Sequence, residues 1–145
     1  MINTEVLELV KDETTSAEVL DKLSSDENQF VRMRVAAHIN TSAQTLVKLS
    51  QDESEYVREF VAEHLKTPIE TLIALSEDRL VMYWVAGNPN TPIEILNRFS
   101  KDEDENIRAS VAVNPSTPLE TLNRLREDDN EDVRAAVAKN PKRSA

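Results

Sequence analysis

Residues 107–125 read Ile-Arg-Ala-Ser-Val-Ala-Val-Asn-Pro-Ser-Thr-Pro-Leu-Glu-Thr-Leu-Asn-Arg-Leu. The pattern Val-Arg-x-x-Val-Ala-x-Asn-Pro-x-Thr-Pro-x-Glu-x-Leu-x-x-Leu-x-x-Asp returns with slight variation. Its opening apolar residue falls at Val31, Val57, Val81, Ile107 and Val133, which are 26, 24, 26 and 26 residues apart. Many positions recurring together at one period mark a repeat array. The reading divides a single helical-repeat domain, 1–145, into repeats 31–56, 57–80, 81–106 and 107–132 and a C-terminal half repeat at 133–145. An atypical N-terminal capping repeat covers 1–30, and its second half, Thr15 to Asp26, still matches.

Each unit predicts two short helices, hence an all-α fold. Thr67-Pro68-Ile69-Glu70, Thr91-Pro92-Ile93-Glu94 and Thr117-Pro118-Leu119-Glu120 put Thr at the N-cap, Pro first in the helix and Glu three residues after Thr, a capping box reinforced by proline. Thr15-Ser16-Ala17-Glu18 and Thr41-Ser42-Ala43-Gln44 keep the box without the proline. Apolar residues spaced by three follow, such as Leu46 and Leu49 or Leu122 and Leu125, and mark one buried face. The other helix of each unit is expected to begin near the Val-Arg pair and to bury Val35, Val61, Val85, Val111 or Val137 one turn later. The adjacent Ala36, Ala62, Ala86, Ala112 or Ala138 permits close approach. Asn88-Pro89, Asn114-Pro115 and Asn140-Pro141 then end it, with Asn in a left-handed cap. Helices of about ten residues are not stable alone in water, so repeats must stack, giving an α-solenoid of about five and a half two-helix repeats of 24–26 residues.

Composition narrows function. With a single glycine, Gly87, there is no Gly-rich phosphate cradle or dinucleotide fingerprint. No cysteine is present for disulfides, thiol catalysis or Cys-ligated metal. A net charge of −10 opposes non-specific binding to nucleic acid and to anionic membranes. The N-terminus has no basic leader region, and no apolar run is long enough to span a bilayer, so a soluble cytoplasmic protein is expected.

Residues 107 to 125, with 81 to 99 and 133 to 141 close behind, resemble the leucine-rich repeat variant unit, a bacterial helical repeat similar in style to HEAT repeats. The resemblance covers the chain from residue 15 onward. It implies a right-handed superhelix without strands, with the first helix of each repeat partly 3₁₀, and an interaction role rather than catalysis. Some members carry a Cys-ligated iron–sulfur cluster, a property that cannot transfer to a chain without cysteine. Repeats of 26 residues are slightly longer than the usual unit and carry an acidic insert, which favours a fuller first helix.

Asp26 and Arg32, Asp52 and Arg58, Asp102 and Arg108, and Asp128 and Arg134 share a spacing of six. Four copies of a carboxylate and a guanidinium are expected to form a structural ladder tying each inter-repeat turn to the following helix, as similar positions do in HEAT repeats. Catalysis would need one unique site. The acidic inserts at 52–55, 102–105 and 127–132 lack the Gly and the terminal Glu of an EF-hand loop and are read as a solvated edge that could attract a basic partner. His38 and His64 stand where later repeats have Asn88, Asn114 and Asn140, which points to hydrogen bonding rather than metal ligation.

The largest departure is Glu77 to Asn88, where two insert residues are missing, Met82 replaces the ladder Arg, and Tyr83, the only Trp and the only Gly cluster together. Helical projection turns Tyr83 and Gly87 away from the core and leaves Trp84 on a flank. Met33, Phe60, Tyr83 and Trp84 are therefore candidate partner-binding residues, against the alternative that Tyr83 and Trp84 fill space opened by the shorter insert. The expected function is a non-catalytic protein–protein interaction scaffold that binds a protein or extended peptide, with no cofactor and no metal. The alternatives are a nucleic-acid-binding or base-repair HEAT-like solenoid, using Lys48, Arg98 and Arg124 as a modest basic stripe, and a non-catalytic subunit of an enzyme complex. The half repeat is expected to leave Val133 and Val137 partly uncovered. Lys139, Lys142 and Arg143 would cap that end, or it would pair weakly end to end with another copy of an otherwise monomeric protein.

Overall fold

Eleven α-helices and no strand make up residues 3–142, the part described by the computed structural model. Arg143, expected to help cap the C-terminal end, lies outside the described residues, as do Met1 and Ile2 at the head of the N-terminal stretch. The first helices of successive units are α1 (Thr4–Lys11), α3 (Gln29–Ala37), α5 (Glu55–Glu63), α7 (Met82–Gly87), α9 (Glu105–Val113) and α11 (Glu131–Lys139). Alternating with them are α2 (Ala17–Leu23), α4 (Ala43–Leu49), α6 (Ile69–Leu75), α8 (Ile93–Phe99) and α10 (Leu119–Leu125).

The chain divides into two compact units, Met1–Thr71 and Leu72–Ala145. In the first, α3 packs against α1 and α5, with α2 and α4 against its side. In the second, α9 packs against α7 and α11, with α8 and α10 beside it. The buried positions follow the repeat. Val57, Val61, Ala62, Val81, Val85 and Ala86 are wholly buried, as are Leu46, Leu72, Leu96 and Leu122 on the second helices. Each fully buried Val or Leu contributes about 1.5–3 kcal/mol. No helix among the described residues exceeds nine residues, so this burial between neighbours holds them rather than intrinsic helix propensity.

Helix boundaries depart from the sequence expectation at three places. The first helices start two residues before the Val-Arg pair, at Gln29, Glu55, Glu105 and Glu131, so in α5, α9 and α11 the acidic insert supplies the first turn. Negative charge is favourable there. Asn28, Asp104 and Asn130 are the caps, each side chain accepting an N–H two residues on at 2.8 Å. The shorter junction removes that turn from α7, which begins only at Met82. These first helices are α-helical. The 3₁₀ character implied by the resemblance is limited to terminal bonds such as the Val31 N–H to the Asn28 carbonyl and the His38 N–H to the Val35 carbonyl, because the longer unit leaves room for full α turns.

The threonine cap is the second correction. Thr41, Thr67, Thr91 and Thr117 donate their hydroxyls back to the Val35, Val61, Val85 and Val111 carbonyls at 2.5–2.7 Å, closing the C-terminus of the preceding helix. N-capping of the second helix falls one residue later, to the Ser16 and Ser42 hydroxyls, or to Pro92 and Pro118, which have no side chain to cap with. The capping box is therefore not formed. The third concerns Asn: no residue, Gly87 included, has positive φ among the described residues, and Asn88, Asn114 and Asn140 leave their helices extended, at ψ of 124–135°. Their side chains are needed elsewhere.

At the C-terminal end Val133 and Val137 are 0% and 1% exposed, covered by α9 and α10, so they are not left open as expected. Ala138 is exposed instead, and the Lys142 ammonium donates to the Thr117 carbonyl.

Candidate functional site

The side chains that look most like chemistry are engaged in holding repeat to repeat. Arg32, buried on α3, donates Nη1 to the Asp26 and Glu27 carbonyls at 2.9 and 3.1 Å and meets the Asp52 carboxylate through Nε and Nη2 at 2.7 and 3.0 Å. Arg108 does the same with the Asp102 carbonyl at 2.8 Å and with the Asp128 carboxylate at 2.9 and 3.0 Å. The guanidinium thus touches the Asp six residues back only through its backbone and takes the carboxylate twenty residues ahead. A fork matched to a carboxylate favours this bidentate geometry. Arg58 and Arg134 reach the Asp52 and Asp128 carbonyls at 2.8 and 2.6 Å. Asp26 accepts the Asn28 N–H at 2.8 Å.

Electrostatics follow from this placement. Burial pushes the Asp52 carboxyl up, but hydrogen bonds from Arg32 and the Ser54 N–H outweigh it and hold the group below the ordinary carboxylate value. Asp128 is held down in the same way by Arg108 and the Asn130 N–H. The Arg32 and Arg108 guanidinium pKa values rise correspondingly, chiefly through their hydrogen bonds to these carboxylates.

Where Met82 interrupts the series, the structure supplies a substitute that the sequence spacing did not reveal. Arg79, in the shortened junction, meets the Asp102 carboxylate at 2.6 and 2.9 Å. The hydrogen bonds from Arg79 hold Asp102 below its ordinary value. The only signal in the sequence is an arginine displaced by three residues from the repeat position.

A second series was legible only as an equivalence of His with Asn. Asn114 is 1% exposed and donates Nδ2 to the Ala86 and Asn88 carbonyls at 2.7 and 2.9 Å, while its Oδ1 accepts the Ser116 N–H. Asn140 repeats this one unit on, to the Ala112 and Asn114 carbonyls. In the first unit His38 and His64 pair Nε2 with the Asp12 and His38 carbonyls at 2.9 and 3.0 Å, and Nδ1 accepts the N–H of Asn40 or Lys66. Because Nδ1 accepts a hydrogen bond, each imidazole is the neutral tautomer with its proton on Nε2. Desolvation, opposed by the bond to the His38 carbonyl and aided by Lys66, lowers the His64 pKa below 6.5.

The basic residues of the second helices are similarly occupied. Lys48 donates to the Ser24 hydroxyl at 2.8 Å, Arg98 to the Ser76 hydroxyl at 2.9 Å and to Glu77 at 2.7 Å, and Arg124 to the Ser100 hydroxyl. The acidic inserts fold on themselves through turns in which Asp52, Asp102 and Asp128 accept N–H groups two residues on. No group of three or more His, Cys, Asp or Glu able to hold a metal occurs among the described residues.

The four candidate partner-binding residues fall in two pairs. Met33 and Phe60, in the first unit, share an open cleft of about 260 Å³ with Phe30, Arg34 and Ala37. A neighbouring cleft of about 540 Å³ is lined by Ala37, Ile39, Phe60, Glu63, His64, Leu65 and Lys66. In the second unit the Tyr83 and Trp84 rings meet edge to face with centroids 4.9 Å apart, Tyr83 exposed and Trp84 partly covered. Beside them a Cβ on Gly87 would stand 3.3 Å from the Ser110 hydroxyl, which donates to the Tyr83 carbonyl at 2.9 Å.

These features define an all-helical protein of packed neighbouring helices, in which no helix among the described residues is long and apolar enough to cross a membrane. Compared with protein-family models, curated proteins and solved structures, the chain matches none.

Proposed function

We propose that the chain is a non-catalytic interaction scaffold, a cytoplasmic right-handed α-solenoid of about five and a half repeats related to the leucine-rich repeat variant family, that binds a protein or extended peptide on its repeat surface. The observation that carries this reading is the open apolar cleft around Phe60, formed in a chain whose Arg32, Arg108, Asn114 and His64 side chains are engaged between repeats. Apolar concavities of this size with a few polar groups at the rim are the usual form of a binding site. Lys48, Arg98 and Arg124 each hold the preceding repeat, which supports a protein partner over nucleic acid.

Affinity capture from cell extract with the wild type, with Met33→Ser/Phe60→Ser and with Tyr83→Ser/Trp84→Ser tests the reading. The expected result is a partner retained by the wild type and lost by at least one variant at an unchanged melting temperature. Capture that none of these substitutions alters would overturn it.

A further inference from the structure

The two clefts of the first unit adjoin along α3 and α5, with Ala37 and Phe60 lining both, and together they are the trough between these helices. Its upper lip is Ile39 and Leu65, each 66% exposed, at the repeat position where the second unit has Pro89, Pro115 and Pro141. Large aliphatic side chains held this far into water beside a concavity are what an unoccupied anchor site presents. The larger cleft, about 540 Å³, suits a few side chains of a short segment rather than a folded domain.

The charges around the trough are unequal in their freedom. Lys66 donates to the Ile39 carbonyl at 2.8 Å, and the Arg34 guanidinium lies over the Phe30 ring at 5.1 Å. Glu63 lines the cleft and Glu59 precedes it by one turn of α5, yet neither forms an ion pair among the described residues. Partial desolvation against the cleft wall, and then repulsion from Glu59, raise the Glu63 pKa above its ordinary value. A cation placed beside Glu63 would relieve both effects, and the chain's net charge of −10 would steer it there.

Resting on the protein-binding reading above and naming its partner's chemistry, we propose that the α3–α5 trough takes a short partner segment in which a large apolar anchor, seated against Phe60, is followed closely by a lysine or arginine that pairs with Glu63 and Glu59.

The test selects a random peptide library on the full chain and measures the recovered peptides, fluorescein-labelled, by polarisation at low and high salt. Phe60→Ser and Glu63→Lys are the variants. The second unit already holds Ser110 and Lys139 at those repeat positions, so both substitutions are compatible with folding, and circular dichroism with a melting curve verifies it. The expected peptides combine an aromatic or aliphatic anchor with a nearby Lys or Arg. Phe60→Ser should weaken them about thirtyfold or more, as for an interface anchor. Glu63→Lys should weaken them about tenfold and remove the loss of affinity at high salt.

Recovered peptides that are acidic, or whose affinity Glu63→Lys leaves unchanged, overturn the proposed chemistry. Peptides indifferent to Phe60→Ser bind elsewhere, which overturns the trough as the site while leaving the scaffold reading intact. Recovery of no peptide, together with no captured partner, overturns both. A dimer seen by light scattering that dissociates in Phe60→Ser would give the trough to a second copy of the chain and also overturns the proposal.

Discussion

Helices α3 and α5 in the first unit and α9 and α11 in the second are built on one spine and carry different outer surfaces. Both pairs bury the same β-branched positions, with Ala138 at the end of α11 the one exposed member of the alanine series, and Arg32 and Arg108 grip Asp52 and Asp128 in the same forked geometry. Around that shared frame the first unit has Phe60, Ile39, Leu65 and two histidines, where the second has Ala136, Pro115, Pro141 and two asparagines. Positions that touch the neighbouring repeat are constrained by geometry. Positions that face outward are free to differ, and that is where a partner-specific surface can develop.

The largest expected effect probes the spine on the asparagine side. Asn114→Ala removes the buried donor to the Ala86 carbonyl and the acceptor of the Ser116 N–H, while the Asn88 carbonyl keeps the Thr91 N–H at 3.1 Å. We expect a loss of about 3 kcal/mol in urea unfolding, from buried groups costing about 1–3 kcal/mol each with partial relaxation. Asn114→His should lose less, because His38 and His64 show that an imidazole can fill the same role with one donor and one acceptor. Equal losses for the two variants would break the equivalence of the two units at this position.

Next in size is the arginine series. Arg32→Ala removes a guanidinium whose side chain is 10% exposed and leaves Asp52 without its counter-ion, a cost of about 2 kcal/mol. Arg79→Ala removes the displaced substitute, whose side chain is 48% exposed, and should cost clearly less. Chemical denaturation of both variants orders them. A larger loss for Arg79→Ala would mean that the shortened junction depends on its ion pair more than a regular one does.

Smaller again is a gain. The Ser54 hydroxyl is buried with no partner and makes no cap bond at the start of α5, whereas Asn28, Asp104 and Asn130 cap at that position. Ser54→Asn should therefore stabilise the first unit by about 0.5–1 kcal/mol, visible as a raised melting temperature.

The smallest effect is a pH dependence confined to the histidine side. His64 has a folded pKa below its unfolded value near 6.5, so its stabilising contribution is complete above about 6.5 and is lost as pH falls through that value towards the folded pKa. His64→Asn should flatten the stability profile in that window. The ladder aspartates, lowered from 3.8, contribute stability above 3.8 that disappears only at more acid pH, so they do not obscure it. Glu63 acts in the opposite sense, because its raised pKa makes protonation favour the folded state. Measuring both proteins in a Glu63→Gln background removes that contribution. An unchanged slope would show that His64 does not carry the dependence.

Much of this architecture was legible in the primary structure because a repeat states its rules several times. The Val, Ala and Leu positions, the pairing of helices and the equivalence of His38 with Asn88 all follow from alignment of the chain with itself. The Thr-Pro-x-Glu motif misled, since local capping chemistry is the same whether the hydroxyl turns forward to the next helix or back to the last one. Only the position of the Val85 carbonyl, 2.6 Å from the Thr91 hydroxyl, decides between them. Met33 and Phe60 were recognisable as apolar residues out of place. Ile39, Leu65 and Glu63, which complete their trough, were not, because a concavity depends on helices brought together by packing.

The sequence by itself determined the all-helical class, the period and the buried face, because those depend on residue spacing along one chain and on which side chains water rejects. Tertiary structure alone decided which partner each polar group takes. Arg32 chooses Asp52 over Asp26, Arg79 stands in for the arginine missing at Met82, and Asn114 reaches carbonyls of the previous repeat. Those choices turn on distances of about 3 Å between atoms twenty or more residues apart, which residue spacing does not specify.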